Sequence, residues 1–391
     1  MLFGTKKKDR KVKIILITGY LGAGKTTLLN HILHNQQGIR AAVMVNDIGE
    51  VNVDAQLIRK GGFSEVDDTL FSLTNGCICC TLAPDLERQL TQIADSGDFD
   101  YVIIEASGIC EPIPIAMTIS NFCDQRKAQA RGRRATLELD NIVAVVDAAR
   151  MFDEFSGGQA LLDEKAAEAE EEGDDEEEEE NIESLLIQQI EFCTTLVLNK
   201  ADLVTPEQMD ELRAIVRSLQ KEAVIVEATN CELPMSELLD TGRFDFERAY
   251  ASAAWLDAME HPEEHEDPEV LEYDIATFVY KRRRPFDMDR FVGYVQTWPS
   301  NVIRVKGMFW AADDYDMCYV FETAGRQARL AENGYFVASA PDDERRQILA
   351  ANPQIAEDWD PEVGDRQNNL VFIGRHMDVE GLVAGLDACL V

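Results

Sequence analysis

The sequence predicts a doubly wound α/β domain with a mainly parallel sheet, followed by a smaller α+β domain. Three observations predict it. Short runs rich in Val and Ile, apolar on both faces, recur through the N-terminal half, as strands buried in a parallel sheet require. Segments with helical spacing alternate with them, and repeated β–α alternation builds a sheet covered on both sides. After an acidic stretch holding two prolines, strands become more frequent and helices fewer. That second pattern suits an antiparallel sheet with helices on one face.

Taken in order, the first strand is KIILITG, Lys13–Gly19. A glycine-rich turn leads from it into a helix over Lys25–Asn35. Further apolar strands are expected at Ala41–Asp47, Tyr101–Ser107, Asn141–Ala148, Thr194–Asp202 and Ala223–Asn230. Thr205–Gln220 reads as a helix, with an N-cap Thr, Pro206 at the first helical position and Glu207 in the first turn. The second domain shows strands at Ile275–Lys281, Asn301–Trp310, Met317–Thr323 and Asn369–Gly374. Helices are expected near Pro285–Trp298, Asp342–Asn352 and Asp378–Leu390. The boundaries follow: residues 1–256 for the first domain, a linker over 257–272, and residues 273–391 for the second. No internal repeat is present.

A chain of 391 residues is comfortable for two domains. No run of eighteen apolar residues occurs, so no membrane span is expected. The N-terminus is basic and then briefly apolar, but no small-residue cleavage site precedes the glycine-rich turn, so it is not read as a signal peptide. A cytoplasmic protein with reduced cysteines is the expectation, and close cysteine spacing then points to metal or redox chemistry. The net charge of -36 argues against nucleic acid and anionic membrane as partners. Part of that charge is local: Asp163 to Glu180 holds thirteen acidic residues and one lysine. This insertion, about residues 163–181, is too charged to bury a core and reads as a disordered, solvated loop. HPEEHED, His261–Asp267, has two histidines four apart but reads as solvated linker.

GYLGAGKT, Gly19–Thr26, fits the P-loop pattern and lies between a strand and a helix, as that pattern requires. Backbone N–H groups around Gly22, Ala23 and Gly24 would wrap phosphate oxygens at the helix start. Lys25 would reach the β- and γ-phosphates, and Thr26 would give its hydroxyl to Mg²⁺. NKAD, Asn199–Asp202, ends another strand. A carboxylate there pairs with the two donors on the guanine edge, which adenine lacks, so Asp202 predicts GTP over ATP. EASG, Glu105–Gly108, ends a third strand. Glu105 suits Mg²⁺ or its water, and Gly108 offers an N–H to the γ-phosphate.

NGCICC, Asn75–Cys80, lies between the P-loop and the Glu105 strand. In an extended segment Cys77 and Cys79 share a face, and a bend brings in Cys80. Thiolates favour Zn²⁺, Cu(I) or similar ions over Mg²⁺. Three sulfurs leave an open position, which suits exchange. Cys110, Cys123, Cys193, Cys231, Cys318 and Cys389 are scattered and read as core or incidental.

With these residues in place, the chain resembles the CobW-type P-loop GTPases, a metal-handling family. The resemblance rests on GYLGAGKTTLLN, VNDIGEVNVDA, NGCICCTL, IIEASGICEPIPI and LNKADLV in order. VIRVKGMFW and WDPEVGDRQNNLVFIG resemble the family's C-terminal domain, so the likeness spans nearly the whole chain. TFVYKRRRPF and GDRQNNLVFIG are most similar to the zinc-starvation branch of zinc chaperones. The resemblance implies a P-loop GTPase domain that couples GTP hydrolysis to delivery of a transition metal to a client metalloprotein. It implies phosphate and Mg²⁺ binding by Gly22, Gly24, Lys25, Thr26 and Thr27. It also implies an E-x-x-G element at Glu105 and Gly108, guanine reading by Asn199, Lys200 and Asp202, and metal binding by Cys77, Cys79 and Cys80. Many members have an acid where this chain has Val45, so any metal role of that acid is lost. Asp47 and Glu50 remain as auxiliary ligands for the transition metal.

The metal expected is Zn²⁺, with Co²⁺ the alternative. Two other functional readings fit the same motifs: a cobalt-handling accessory of corrinoid synthesis, and a nucleotide-gated metal buffer or sensor. A homo-oligomer is compatible with each.

Overall fold

The computed structural model describes residues 10–34, 39–46, 70–73, 83–108, 112–128, 135–156, 182–251, 275–299, 301–324 and 327–391. Two compact units are present, one on a seven-stranded sheet and one on a five-stranded sheet.

The strands of the first unit are β1 (Arg10–Thr18), β2 (Ala41–Asn46), β3 (Leu70–Leu73), β4 (Tyr101–Glu105), β5 (Ala135–Asp147), β6 (Thr195–Asn199) and β7 (Val224–Glu227). They run in the order β3-β2-β4-β1-β5-β6-β7, and every pairing is parallel. The described helices are α1 (Lys25–Leu33), α2 (Ala83–Ser96), α3 (Pro112–Ala128), α4 (Ala148–Ser156), α5 (Ile182–Glu191), α6 (Pro206–Leu219) and α7 (Phe246–Ala251). Alternation along β1 divides the core. Ile14 and Leu16 pack with Leu86, Leu90, Ile115 and Ile119 on one face. Ile15 and Ile17 pack with Leu28, Leu29 and Ile32 on the other. Both faces are covered, so the strand reads as a continuous apolar run rather than an alternating one.

The predicted helix after Thr205 forms as its caps require. The Thr205 hydroxyl accepts from the Gln208 amide, and the Gln208 side chain accepts from the Thr205 amide. The strand expected at Asn141–Ala148 is longer: β5 starts at Ala135, and Ala148 already begins α4. The polar stretch TLELD hides its first half, and the pairing with β1 slips between Ile14 and Ile15, leaving Asp140 as the extra residue. Asp140 is buried and accepts from Lys13 Nζ at 2.7 Å, Thr241 N at 2.8 Å and Gly242 N at 3.0 Å. Burial opposes its ionisation, but the lysine and the two amides outweigh that and hold the carboxyl below the usual carboxylate range.

The second unit has β8 (Ile275–Arg282), β9 (Val302–Trp310), β10 (Met317–Ala324), β11 (Gln327–Tyr335) and β12 (Asn368–Arg375). Their order is β11-β10-β9-β12-β8, antiparallel throughout. Helices α8 (Met288–Val295) and α11 (Val379–Ala388) place Phe291, Leu382 and Leu386 in one core with Val305, Phe309, Phe321 and Phe372. Helices α9 (Asp342–Ala351) and α10 (Pro353–Glu357) contribute no fully buried residue. Strand β11 has no counterpart in the sequence reading. It is an edge strand, exposed along most of its length, so its sequence QARLAENGY lacks an apolar face. The basic run at Lys281–Arg283 is paired: Arg282 grips Asp387 at 2.8 and 2.9 Å, and Lys281 and Arg283 share Asp358. Among the described residues no helix is long and apolar enough to cross a membrane.

Candidate functional site

In a parallel sheet all strands point one way, so their C-terminal ends share one edge, where open α/β sheets bind ligands. The predicted nucleotide residues lie at that edge. The glycine-rich loop follows β1, Glu105 ends β4 and Asn199 ends β6. Ile17 pairs with Glu105, and Asp147 with Asn199, so strand register brings these ends level.

The loop turns on left-handed glycines. Gly24 stands at φ 115, and a Cβ there would lie 2.5 Å from Asn199 Nδ2 and 3.1 Å from Cys231 Sγ. Gly24 is also the N-cap of α1 and supplies no side-chain cap, so the first-turn amides face the loop without one. A helix start of this kind favours an anion. Ala23 and Lys25 are buried, and Thr27 is exposed. Lys25 Nζ donates to the Tyr20 carbonyl at 3.2 Å. The Tyr20 ring carries the Arg150 guanidinium 4.3 Å from its centroid.

The Thr26 hydroxyl donates to Glu105 Oε1 at 2.9 Å, and Glu105 is 1% exposed. This joins the P-loop helix to the end of β4. A hydroxyl and a carboxylate are hard oxygen donors of the kind Mg²⁺ takes. The Ala106 amide donates to the Ile17 carbonyl at 2.9 Å. Gly108 packs against Leu21 so tightly that a Cβ would stand 2.8 Å from the leucine side chain. The Gln189 amide donates to the Gly108 carbonyl at 3.4 Å.

Asn199 is a bridge. Its Nδ2 donates to the Ala23 carbonyl at 2.8 Å, and its Oδ1 accepts from the Cys231 amide at 2.9 Å. Lys200 is left-handed at φ 60 and pairs with Asp147. The other oxygen of Asp147 accepts from the Ala149 and Arg150 amides at 3.1 and 3.2 Å, capping α4. Asp202 is exposed on the 3₁₀ turn Ala201–Leu203.

The structure thus gathers Gly22, Ala23, Gly24, Lys25, Thr26, Glu105, Gly108 and Asn199 at one sheet edge, with Lys200 and Asp202 directly following. Sequence reasoning passed over Asp147, Arg150, Gln189 and Cys231. Asp147 had a local signal, an aspartate between an apolar strand and a helix. Cys231 had none: it is core, as expected, but its thiol faces the P-loop. Cys77, Cys79, Cys80, Asp47 and Glu50 lie outside the described residues, as do the acidic insertion and His261–Asp267. Val45 is fully buried in β2. Among the described residues no group of three His, Cys, Asp or Glu could hold a metal ion.

Two family models match the chain. The family model described as CobW/HypB/UreG, nucleotide-binding domain, matches residues 13–227. A second, the cobalamin synthesis protein cobW C-terminal domain, matches residues 275–390. The zinc-regulated GTPase metalloprotein activator 1 of Dictyostelium discoideum is 33% identical over 393 residues, covering 97% of this chain and 80% of that protein. The zinc chaperone CobW of a Sinorhizobium species is 31% identical over 303 residues, 76% of this chain and 81% of that one. A crystal structure of Zn(II)-bound YjiA GTPase from E. coli aligns over 98% of this chain and 100% of its own, with 20% identity and a TM-score of 0.42.

Proposed function

This chain belongs to the CobW/HypB/UreG family and is a metal-handling GTPase, and from that premise we propose that it is a zinc metallochaperone whose GTP cycle governs delivery of the ion to a client metalloprotein. In this reading GTP lies along the C-terminal edge of the first sheet. Lys25 and the amides of Gly22–Thr27 hold its phosphates. Thr26 and Glu105 hold Mg²⁺, which neutralises phosphate charge during hydrolysis. Gly108 senses the γ-phosphate, and Asn199, Lys200 and Asp202 hold the guanine. Cys77, Cys79 and Cys80 bind the transition metal, with Asp47 or Glu50 as auxiliary ligand.

One observation supports coupling between the two sites. Strands β2 and β3 run parallel to β1, so Asn46 and Leu73 end at the same edge as the P-loop. Asp47–Glu50 follow the first of these in sequence, and NGCICC follows the second. Three inter-strand spacings separate β3 from β1, about 14 Å. Ligands that share such an edge can bias each other's affinity reciprocally. Zinc is favoured over cobalt by two relatives, a zinc-regulated GTPase metalloprotein activator and a zinc chaperone.

The test is a Zn²⁺ titration of the whole protein with GTP, with GDP and without nucleotide, at fixed Mg²⁺. The expected result is a Zn²⁺ affinity that differs at least tenfold between the GTP and GDP states and is lost in a Cys77→Ser/Cys79→Ser variant. Equal affinities in both states sink the coupling. Tighter Co²⁺ than Zn²⁺ binding in competition returns the reading to the cobalt alternative. Failure to transfer bound zinc to an apo-metalloprotein leaves a buffer or sensor.

A further inference from the structure

Cys231 is buried, sits midway along the loop after β7, and has φ 57, in the left-handed region that disfavours side chains. Two bonds hold it there. Its amide donates to Asn199 Oδ1 at 2.9 Å, and its thiol donates to the Gly24 carbonyl at 3.3 Å. That carbonyl also accepts the Leu28 amide at 2.8 Å, the first turn of the P-loop helix. Burial pushes the Cys231 thiol up to about 12, so it remains a protonated donor at neutral pH. Glycine 24 is closed in by the same two residues, Asn199 and Cys231. A glycine at position 231 would adopt the same backbone without strain. The side chain that is present therefore costs conformational energy and spends its one polar group on the P-loop.

We infer that Cys231 is a positioning residue for the nucleotide, a latch that fixes the loop after β7 to the start of the P-loop helix. Thr229 and Asn230, both exposed, precede it in that loop. The loop continues from β7, the neighbour of the strand that ends in Asn199. Without the latch, the P-loop segment and the loop after β7 keep the Asn199 bridge and, farther along the helix, the contact of His31 Nε2 with the Leu233 carbonyl at 3.0 Å. A nucleotide must then order them itself, and that ordering lowers its affinity. The effect falls on GTP and GDP alike, because the two share the base and the inner phosphates that these segments would hold. This inference rests on the reading that nucleotide occupies the P-loop.

The test compares Cys231→Ser, Cys231→Ala and Cys231→Gly in the full chain, by titration of fluorescent GTP and GDP analogues and by thermal unfolding without nucleotide. Serine keeps a donor and should bind both nucleotides within about threefold of wild type. Alanine should weaken both about tenfold, the fold-change expected for one lost hydrogen bond. Glycine should weaken them at least as much, yet unfold no lower than alanine because it relieves the left-handed strain. A purely structural role predicts instead that affinity follows unfolding temperature. Alanine or glycine binding within twofold of wild type overturns the latch, as does a serine variant no better than alanine. Failure of the wild type to bind either nucleotide would overturn the nucleotide reading itself, which separates the two outcomes.

Discussion

Replacing Asn199 by alanine should loosen the nucleotide site measurably, and the structure sets the size. Asn199 is 3% exposed and serves two backbone groups, the Ala23 carbonyl at 2.8 Å and the Cys231 amide at 2.9 Å. Truncation leaves both without that partner in a buried place. Each such loss costs about 1–3 kcal/mol, so about 2–6 kcal/mol is expected for the pair. At about 1.4 kcal/mol per tenfold, the segment around Cys231 should open at least roughly 30-fold more often, and up to roughly 20,000-fold. Hydrogen exchange reads this directly, since the Cys231 amide is protected by the bond that is removed. Its protection should fall by that factor in Asn199→Ala, while the Val197 amide, midway along β6 and between β5 and β7, changes less. A Cys231 amide whose exchange slows or rises less than threefold in Asn199→Ala would refute the bridge.

Two further outcomes follow from other parts of the fold. Asp140 has its carboxyl held below the usual range, so its stabilisation is complete above about pH 4, the unfolded value, and is lost as the pH falls through the folded value. Glu322, part-buried between Lys306 and Arg304, behaves alike in the second unit, where burial opposes ionisation and the two cations outweigh it. Thermal unfolding followed from pH 7 to pH 3 should show a falling midpoint, with a shallower fall in Asp140→Asn; an unchanged slope in the variant would count against the assignment. Gly22→Ala and Gly24→Ala should differ although both sites are left-handed. A Cβ on Gly22 meets nothing within 4 Å, so its cost is the conformation alone, about 1–2 kcal/mol. A Cβ on Gly24 strikes Asn199, so nucleotide affinity should drop at least about 100-fold, through displacement of the phosphate loop. Equal losses in the two variants, measured by nucleotide titration, would show that the contact to Asn199 does not matter.

Much of this site was written locally. The P-loop is a run of eight residues whose glycines and lysine carry their own geometric demands, so its spacing was readable without any neighbour. Asn199 and Glu105 were readable because apolar strands announce where they end. The parallel sheet was readable because strands covered on both faces have no polar face. The bulge at Asp140 and the edge strand β11 were not, since one hides in polar residues and the other has no buried face to write into the sequence. Cys231 lies 207 positions from Gly24, and nothing in its neighbours specifies what it touches. The sequence by itself determined which chemistry the chain can carry and on which strand ends it sits. The order of the strands determined which of those ends meet, because contact between distant residues depends on how the whole sheet is assembled and not on any local pattern of φ, ψ and burial.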